Sequence, residues 1–428
     1  MSEQPASTRE WTVIGHLNYG THGTVVLITH RDGRTVTTAY PAGDASGLAA
    51  HCKPVFLGVA GNRALIMDAE SKAISRPAAL PVDAFPAYAY PDPVQGHLWY
   101  TNDGDKEHGV DPLNCGDCGS SVTVIATGTD PDEPAKWLRT LCVGRGHHVV
   151  AFAEPCAADA DIPRRAFVSN LIDGTISVVD NDPRSDKFLS VLDTVSLLDS
   201  DQETDPGARH TGNSAFPHGM VFSPATGRLY NLNNGYHTVV ALDPRSGQTL
   251  AKAPMPVSSN LLLHPRGEFL IGKGADRKSD AQHVIGRLTV MNARSLATEE
   301  IIELPDIYPS TYRFNHDGNR LYVTTAATGK AAQRDNLRKR VLLIYDAGHL
   351  PKLSLLREVE IGLADCGRRP LAMLNTPAGT ERLFIPNPTD GTLSILSAEG
   401  DTLETVTVGA GHMKEWLFSF WNNAVTGC

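Results

Sequence analysis

No stretch of this chain carries the roughly 18 consecutive apolar residues that a membrane span needs. Nor does it hold a Lys/Arg run with interleaved aromatics, and its 38 Lys and Arg are outnumbered by 48 Asp and Glu, for a net charge of −10 over 428 residues. Neither a membrane nor a nucleic acid is therefore an expected partner. The densest basic run, Arg334 to Arg340 (RDNLRKR), reads as a solvated loop. The first residues, MSEQPASTREWTVIGH, lack a basic segment followed by an apolar one, so no secretory signal is read there and a cytoplasmic location is expected. Cysteine is sparse and odd in number, at seven. That count does not close a full disulfide framework, and in a reducing compartment it points to thiols, metal ligands or redox groups. Helical periodicity is scarce throughout.

What the sequence has is a repeat. Phe216 to Met255 reads as four short strands (GMVFS, RLYNLN, TVVALD, QTLAKA) separated by Gly, Pro, Asn and Asp clusters, the signal of hairpin-linked strands. Related units open near Phe85, Gly146, Ser258, Ser310 and Arg369. Four-stranded units recurring every 40 to 60 residues or so predict an all-β fold, a single β-propeller spanning 1–428. At the N-terminus, strands within 10–41 are expected to complete a blade opened by 411–428. Six units and this composite make seven blades, the favoured count; the short segment Lys53 to Ser75 either completes the composite or forms a small eighth.

The motifs RLYVTT (Arg320 to Thr325), RLYNLNN and GTISVVDNDPRSDK resemble the YVTN propeller repeats, related to lactonase-like and cytochrome-d1-like propellers. That resemblance implies the fold over nearly the whole chain. It does not fix the activity, because such propellers host many chemistries.

With strands lettered A to D outward, the B-to-C and D-to-A connections share one face and include the long loops, where binding usually resides. His148 precedes strand A of one unit as His218 does of the next. His147 and His412 occupy a similar register, in VGRGHH and VGAGHM. His264 and His316 fall in opposite-face turns and are assigned to turn structure. Cys115 and Cys118, a Cys-x-x-Cys pair in a B-to-C loop with His108 nearby, are expected to adjoin the His147/His148 start.

Imidazole and thiolate ligands favour copper, zinc or iron over magnesium or calcium. His147, His148, His218, His412, Cys115, Cys118 and His108 are thus the candidate ligands of a transition metal, copper first; the same histidines would otherwise hydrogen-bond backbone and water. The lone Cys-x-x-Cys lacks the second pair of a zinc ribbon. Arg145 and Arg369, with Arg368 and Lys414 in the same register, are candidate anion receivers. Glu415, beside His412, is a candidate general base.

In arrangement, a His-lined propeller is similar to the copper propeller oxidoreductases, among them nitrous oxide reductase, thiocyanate dehydrogenase and the selenium-binding-protein family. The CGPGY pattern of the last is absent. The resemblance implies an oxidoreductase acting on a small sulfur- or nitrogen-containing molecule. The alternatives are a metal-free lactonase- or isomerase-like enzyme and a non-catalytic interaction scaffold.

Overall fold

The computed structural model describes residues 11–19, 22–41, 45–50, 55–60, 63–68, 74–75, 86–102, 115, 120–126, 136–202, 213–365, 367–376, 379–408 and 416–421. Among these residues the strands form eight four-stranded sheets, and the fold is a β-propeller. Seven sheets are the units expected from the repeat. Six of them occupy residues 86–142, 147–196, 217–254, 260–305, 308–360 and 372–407, numbered here as blades 2 to 7. The seventh is the composite, in which Trp416–Trp421 pairs antiparallel with Trp11–Tyr19, followed outward by His22–Arg31 and Arg34–Pro41. Residues 45–75 supply an eighth sheet, blade 1, the alternative that the sequence left open.

The chain divides into two compact units, Met1–Arg76 with Ala275–Gly286 and Glu303–Cys428, and Pro77–Gly274 with Arg287–Ile302. Within each, the middle strands are buried along their length, as in Arg228–Asn233 and Thr238–Leu242. Outer strands such as Thr249–Pro254 and Thr402–Thr407 alternate between exposed and half-buried. This explains the continuous apolar runs in B and C and the period-two pattern in D.

The repeat's recurring letters have specific tasks. In blades 3, 4 and 6 strand B opens with Arg, and the residue two further on is aromatic. The Tyr230 hydroxyl donates to the Ala293 carbonyl (2.7 Å) and Arg228 to the Arg294 carbonyl (3.0 Å), both in the next blade's C-to-D turn. Arg165 likewise reaches the Pro244 carbonyl (3.0 Å), and Tyr322 the Ala398 carbonyl (2.9 Å). Strand B ends on Asn in several blades. There Asn170 donates to the hydroxyls of Thr175 (2.9 Å) and Ser177 (3.0 Å) on strand C, and Asn387 to Thr392 (3.0 Å) and Ser394 (2.9 Å). Buried donors held this way cost little, whereas unpaired ones cost about 1–3 kcal/mol.

On the turn face of blades 2 and 3, Asn181 donates to the Asp92 carboxylate (2.7 Å), and the His97 ring tilts against Phe188 at 6.0 Å. Burial pulls the His97 imidazole below its ordinary value, with the Asp92 charge acting in the opposite sense. As pH falls below about 6.5, the unfolded chain takes up a proton that folded His97 resists. Stability is therefore expected to drop from that pH down to the folded pKa. Melting curves of wild type and His97→Gln across about pH 5 to 8 check this, and parallel pH slopes would refute it.

No helix among the described residues is long and apolar enough to cross a membrane.

Candidate functional site

In the second unit the innermost strands of blades 3 and 4 lie side by side. Strand A of blade 3 is His147–Ala153 and strand A of blade 4 is Pro217–Ser223, so His148 and His218 are each the second residue of an innermost strand. Both fall in a bulge. Pairing to strand B shifts register between His147 and Val150 in blade 3, and between Pro217 and Gly219 in blade 4. A bulge adds a residue to one strand and re-aims its side chain, which is why bulges recur beside active sites. His218 is oriented further by its own ring, whose Nδ1 bonds the Ser259 carbonyl at the start of blade 5. A carbonyl accepts only, so Nδ1 carries the hydrogen and Nε2 the lone pair. Phe216 stacks beside His218 with ring centroids 6.4 Å apart and planes 7° from parallel.

Around these residues the D-to-A linkers clasp the B-to-C turns. Arg145 holds Asp173 through its backbone N–H (2.7 Å) and its guanidinium (2.7 Å). Asn213, from the following linker, donates to the Gly174 carbonyl of the same turn (3.0 Å). Arg145 is thus engaged by a carboxylate of this chain, and not displayed as an anion receiver. Arg369 requires the same correction. It is fully buried, and its guanidinium donates to the carbonyls of Lys339 (2.8 Å) and Gly362 (2.8 Å). A guanidinium so enclosed holds backbone together and cannot touch a substrate.

Cys115 is corrected too. Its sulfur is bonded to that of Cys142, the last residue of strand D in blade 2. A cystine sulfur is not a thiolate and does not ligate a metal as one. Along the chain, Cys142 lies five residues before His147. The strand register puts the B-to-C loop and the end of strand D on one face, but it does not say which sulfur Cys115 meets. Cys118, His108, His412 and Glu415 lie outside the described residues, and the side chains of His147 and His148 are likewise not described. Among the described residues no three His, Cys, Asp or Glu side chains cluster as a metal site. His264 is buried with its Nδ1 accepting the Arg266 N–H (3.2 Å), and His316 sits in a turn whose N–H reaches Thr380 (3.1 Å).

The first unit holds a feature the sequence reading did not anticipate. The RDNLRKR run is partly helical, in α1 (Ala331–Asn336), and its charges are matched. Arg334 and Lys339 meet Asp365 (3.3 and 3.1 Å), Arg340 meets Asp390 (3.3 Å) and Arg338 meets Glu358. Fully buried Gln333 donates to the carbonyls of Arg277 (3.1 Å) and Asp280 (2.7 Å), joining two long B-to-C loops. A cavity of about 560 Å³ lies between Leu337–Val341 and Glu358–Leu363.

No protein-family model and no curated protein sequence matches the chain. Solved structures do. AztD from Citrobacter koseri is similar at a TM-score of 0.61 and 12% identity, over 97% of this chain and 98% of that one. Dihydro-heme d1 dehydrogenase NirN, in complex with DHE, is similar at 0.54 and 14%, over 86% of this chain and 66% of that one. Kuenenia stuttgartiensis hydrazine synthase is similar at 0.54 and 14%, over 87% of this chain and 100% of that one. At such identities the likeness establishes the fold and leaves the chemistry to the residues. The d1-type resemblance read from the repeats is matched at that level.

Proposed function

We propose that this chain is a metal-binding β-propeller, with a copper or zinc site at the start of the inner strands of blades 3 and 4. His148 and His218 are its central ligands. The observation that carries the reading is His218, placed in a strand-opening bulge with Nδ1 committed to the Ser259 carbonyl. That is the outer hydrogen bond by which proteins fix a ligating imidazole and raise its basicity. His147 belongs to the same segment. His108 and Cys118 remain candidate ligands by sequence register.

A redox role on a small nitrogen- or sulfur-containing molecule is the favoured use, with copper as the metal. By name, two proteins of the same fold are a dihydro-haem d1 dehydrogenase and a hydrazine synthase, hydrazine being a small nitrogen compound. The Cys115–Cys142 bond supports work in an oxidising compartment, in place of the cytoplasm first expected.

Metal content per purified chain tests the reading. His148→Ala and His218→Ala are expected to lose most bound metal with the β-rich fold retained, whereas His264→Ala and His316→Ala keep it. Binding should weaken as pH falls below about 6.5, because a ligating imidazole must be neutral. Wild-type protein that takes up neither copper nor zinc would end the proposal and leave the metal-free enzyme or the scaffold.

A further inference from the structure

The backbone around His218 holds two residues in a conformation their side chains disfavour. Phe216 has φ +51° and Val257 has φ +63°. Left-handed backbone is uncommon for any residue but Gly, and for a bulky or β-branched one it is a true outlier. The equivalent place before strand A of blade 3 is Gly146, at φ +66°. Its equivalence to Phe216 is shown by the hydrogen bonds: the Gly146 and Phe216 carbonyls accept the N–H groups of Leu171 (2.6 Å) and Asn234 (3.1 Å), each just past strand B. The linker therefore needs left-handed backbone, and glycine meets that need without strain. Packing does not explain the phenyl group either, since Phe216 is 43% exposed.

A large apolar ring is thus kept on the surface against its backbone preference, with its plane 7° from that of His218. We propose that Phe216 is a specificity-determining platform for a planar heteroaromatic ligand. The ligand's ring lies on the phenyl face while its ring nitrogen turns toward the metal at His218. The nitrogen contact rests on the metal reading given above; the stacking contact does not. Aromatic faces prefer offset stacking on other planar rings and gain from it beyond the area buried.

Benzimidazole and imidazole are the probes, because both present the same donor nitrogen and only the first adds a ring to stack. Calorimetric titration of metal-loaded wild type should show benzimidazole binding about fivefold more tightly than imidazole, the size of one aromatic contact. In Phe216→Gly the ratio should fall to about one, with metal content unchanged. Its melting temperature should not fall, because glycine relieves the strained φ. Phe216→Tyr should restore the ratio, and Phe216→Leu, apolar but without a ring, should not. A ratio unchanged in Phe216→Gly or Phe216→Leu would overturn the platform. If wild type holds no metal, the metal reading fails by itself. Benzimidazole affinity of wild type against Phe216→Leu then decides the platform, equal values rejecting it.

Discussion

A chain ended at Ala410 is expected to lose its soluble, cooperatively folded state. Trp416–Trp421 is the innermost strand of the composite blade, pairing with Thr12 to Leu17, and it lies beside the first strands of blades 1 and 7. Without it the strand Trp11–Tyr19 becomes an unpaired edge, its N–H and C=O groups open to pairing with other chains. The same strand carries Trp11 and Val13, both buried against Leu374, Phe384 and Ile395 of blade 7. Trp11 meets Phe384 edge-on with centroids 4.9 Å apart. Loosening this sheet uncovers that cluster, and a fully buried aromatic alone is worth about 3–5 kcal/mol on truncation. Size-exclusion chromatography and thermal melting of the truncated chain decide it. A monomer with the wild-type melting curve would show that the final strand is dispensable.

Gly235→Ala should damage the protein to a smaller degree, and for a reason that reaches the histidine. Gly235 lies in the B-to-C turn of blade 4, where its N–H donates to the Ala215 carbonyl (2.9 Å). A methyl group added there would overlap the Ser214 carbonyl oxygen, a backbone atom with no flexible end to move. Relief requires displacing the linker Ser214 to Pro217, and His218 is the next residue. Overpacking of this kind costs about 1–3 kcal/mol, sometimes more. The variant is therefore expected to melt several degrees lower, roughly 2–4 °C per kcal/mol for a large domain, and to bind metal more weakly. Full metal content in a destabilised Gly235→Ala protein would show that the linker's position does not set the ligand.

The fold was legible because its signals are local and repeated. Strand B in blades 3, 4 and 6 opens on Arg with an aromatic two residues on, and several turns carry Pro, Asn and Gly. These letters reflect the Arg and Tyr bonds between neighbouring blades and the Asn clamps within them. The joining of Trp416–Trp421 to Trp11–Tyr19 was legible for a related reason: each end of the chain reads as an incomplete blade, and the two parts are complementary. Blade 1 was harder to read, since its last strand is only Ile74–Ser75.

At the site, the positions of His148 and His218 followed from counting strands. The state of Cys115 did not, because pairing depends on which sulfur lies opposite, and Cys142 stands 27 residues away. Arg145 and Arg369 were misread because exposure and partnership are tertiary properties. A register can put an arginine on the correct face without showing that Asp173 or a buried carbonyl already occupies it. Phe216 gave no sequence signal at all; its backbone angle and its alignment with the His218 ring are tertiary facts.

The pairing of Thr12 with Trp421 also sets an order in time. At about 5–20 residues per second the roughly 400 residues between these partners take about 20–80 s to make, so strand Trp11–Tyr19 leaves the ribosome well before the strand it pairs with. For most of that interval its inner edge has no partner of its own chain to meet. Closing a loop of some four hundred residues is slow by entropy alone, though each doubling of length adds only about 0.6 kcal/mol. The early hairpin must therefore wait in the cell with one open edge, exposed to other nascent chains, until strand Trp416–Trp421 has been made. Holding factors that bind such edges should raise the yield of this protein more than that of a propeller whose blades are each built from consecutive strands.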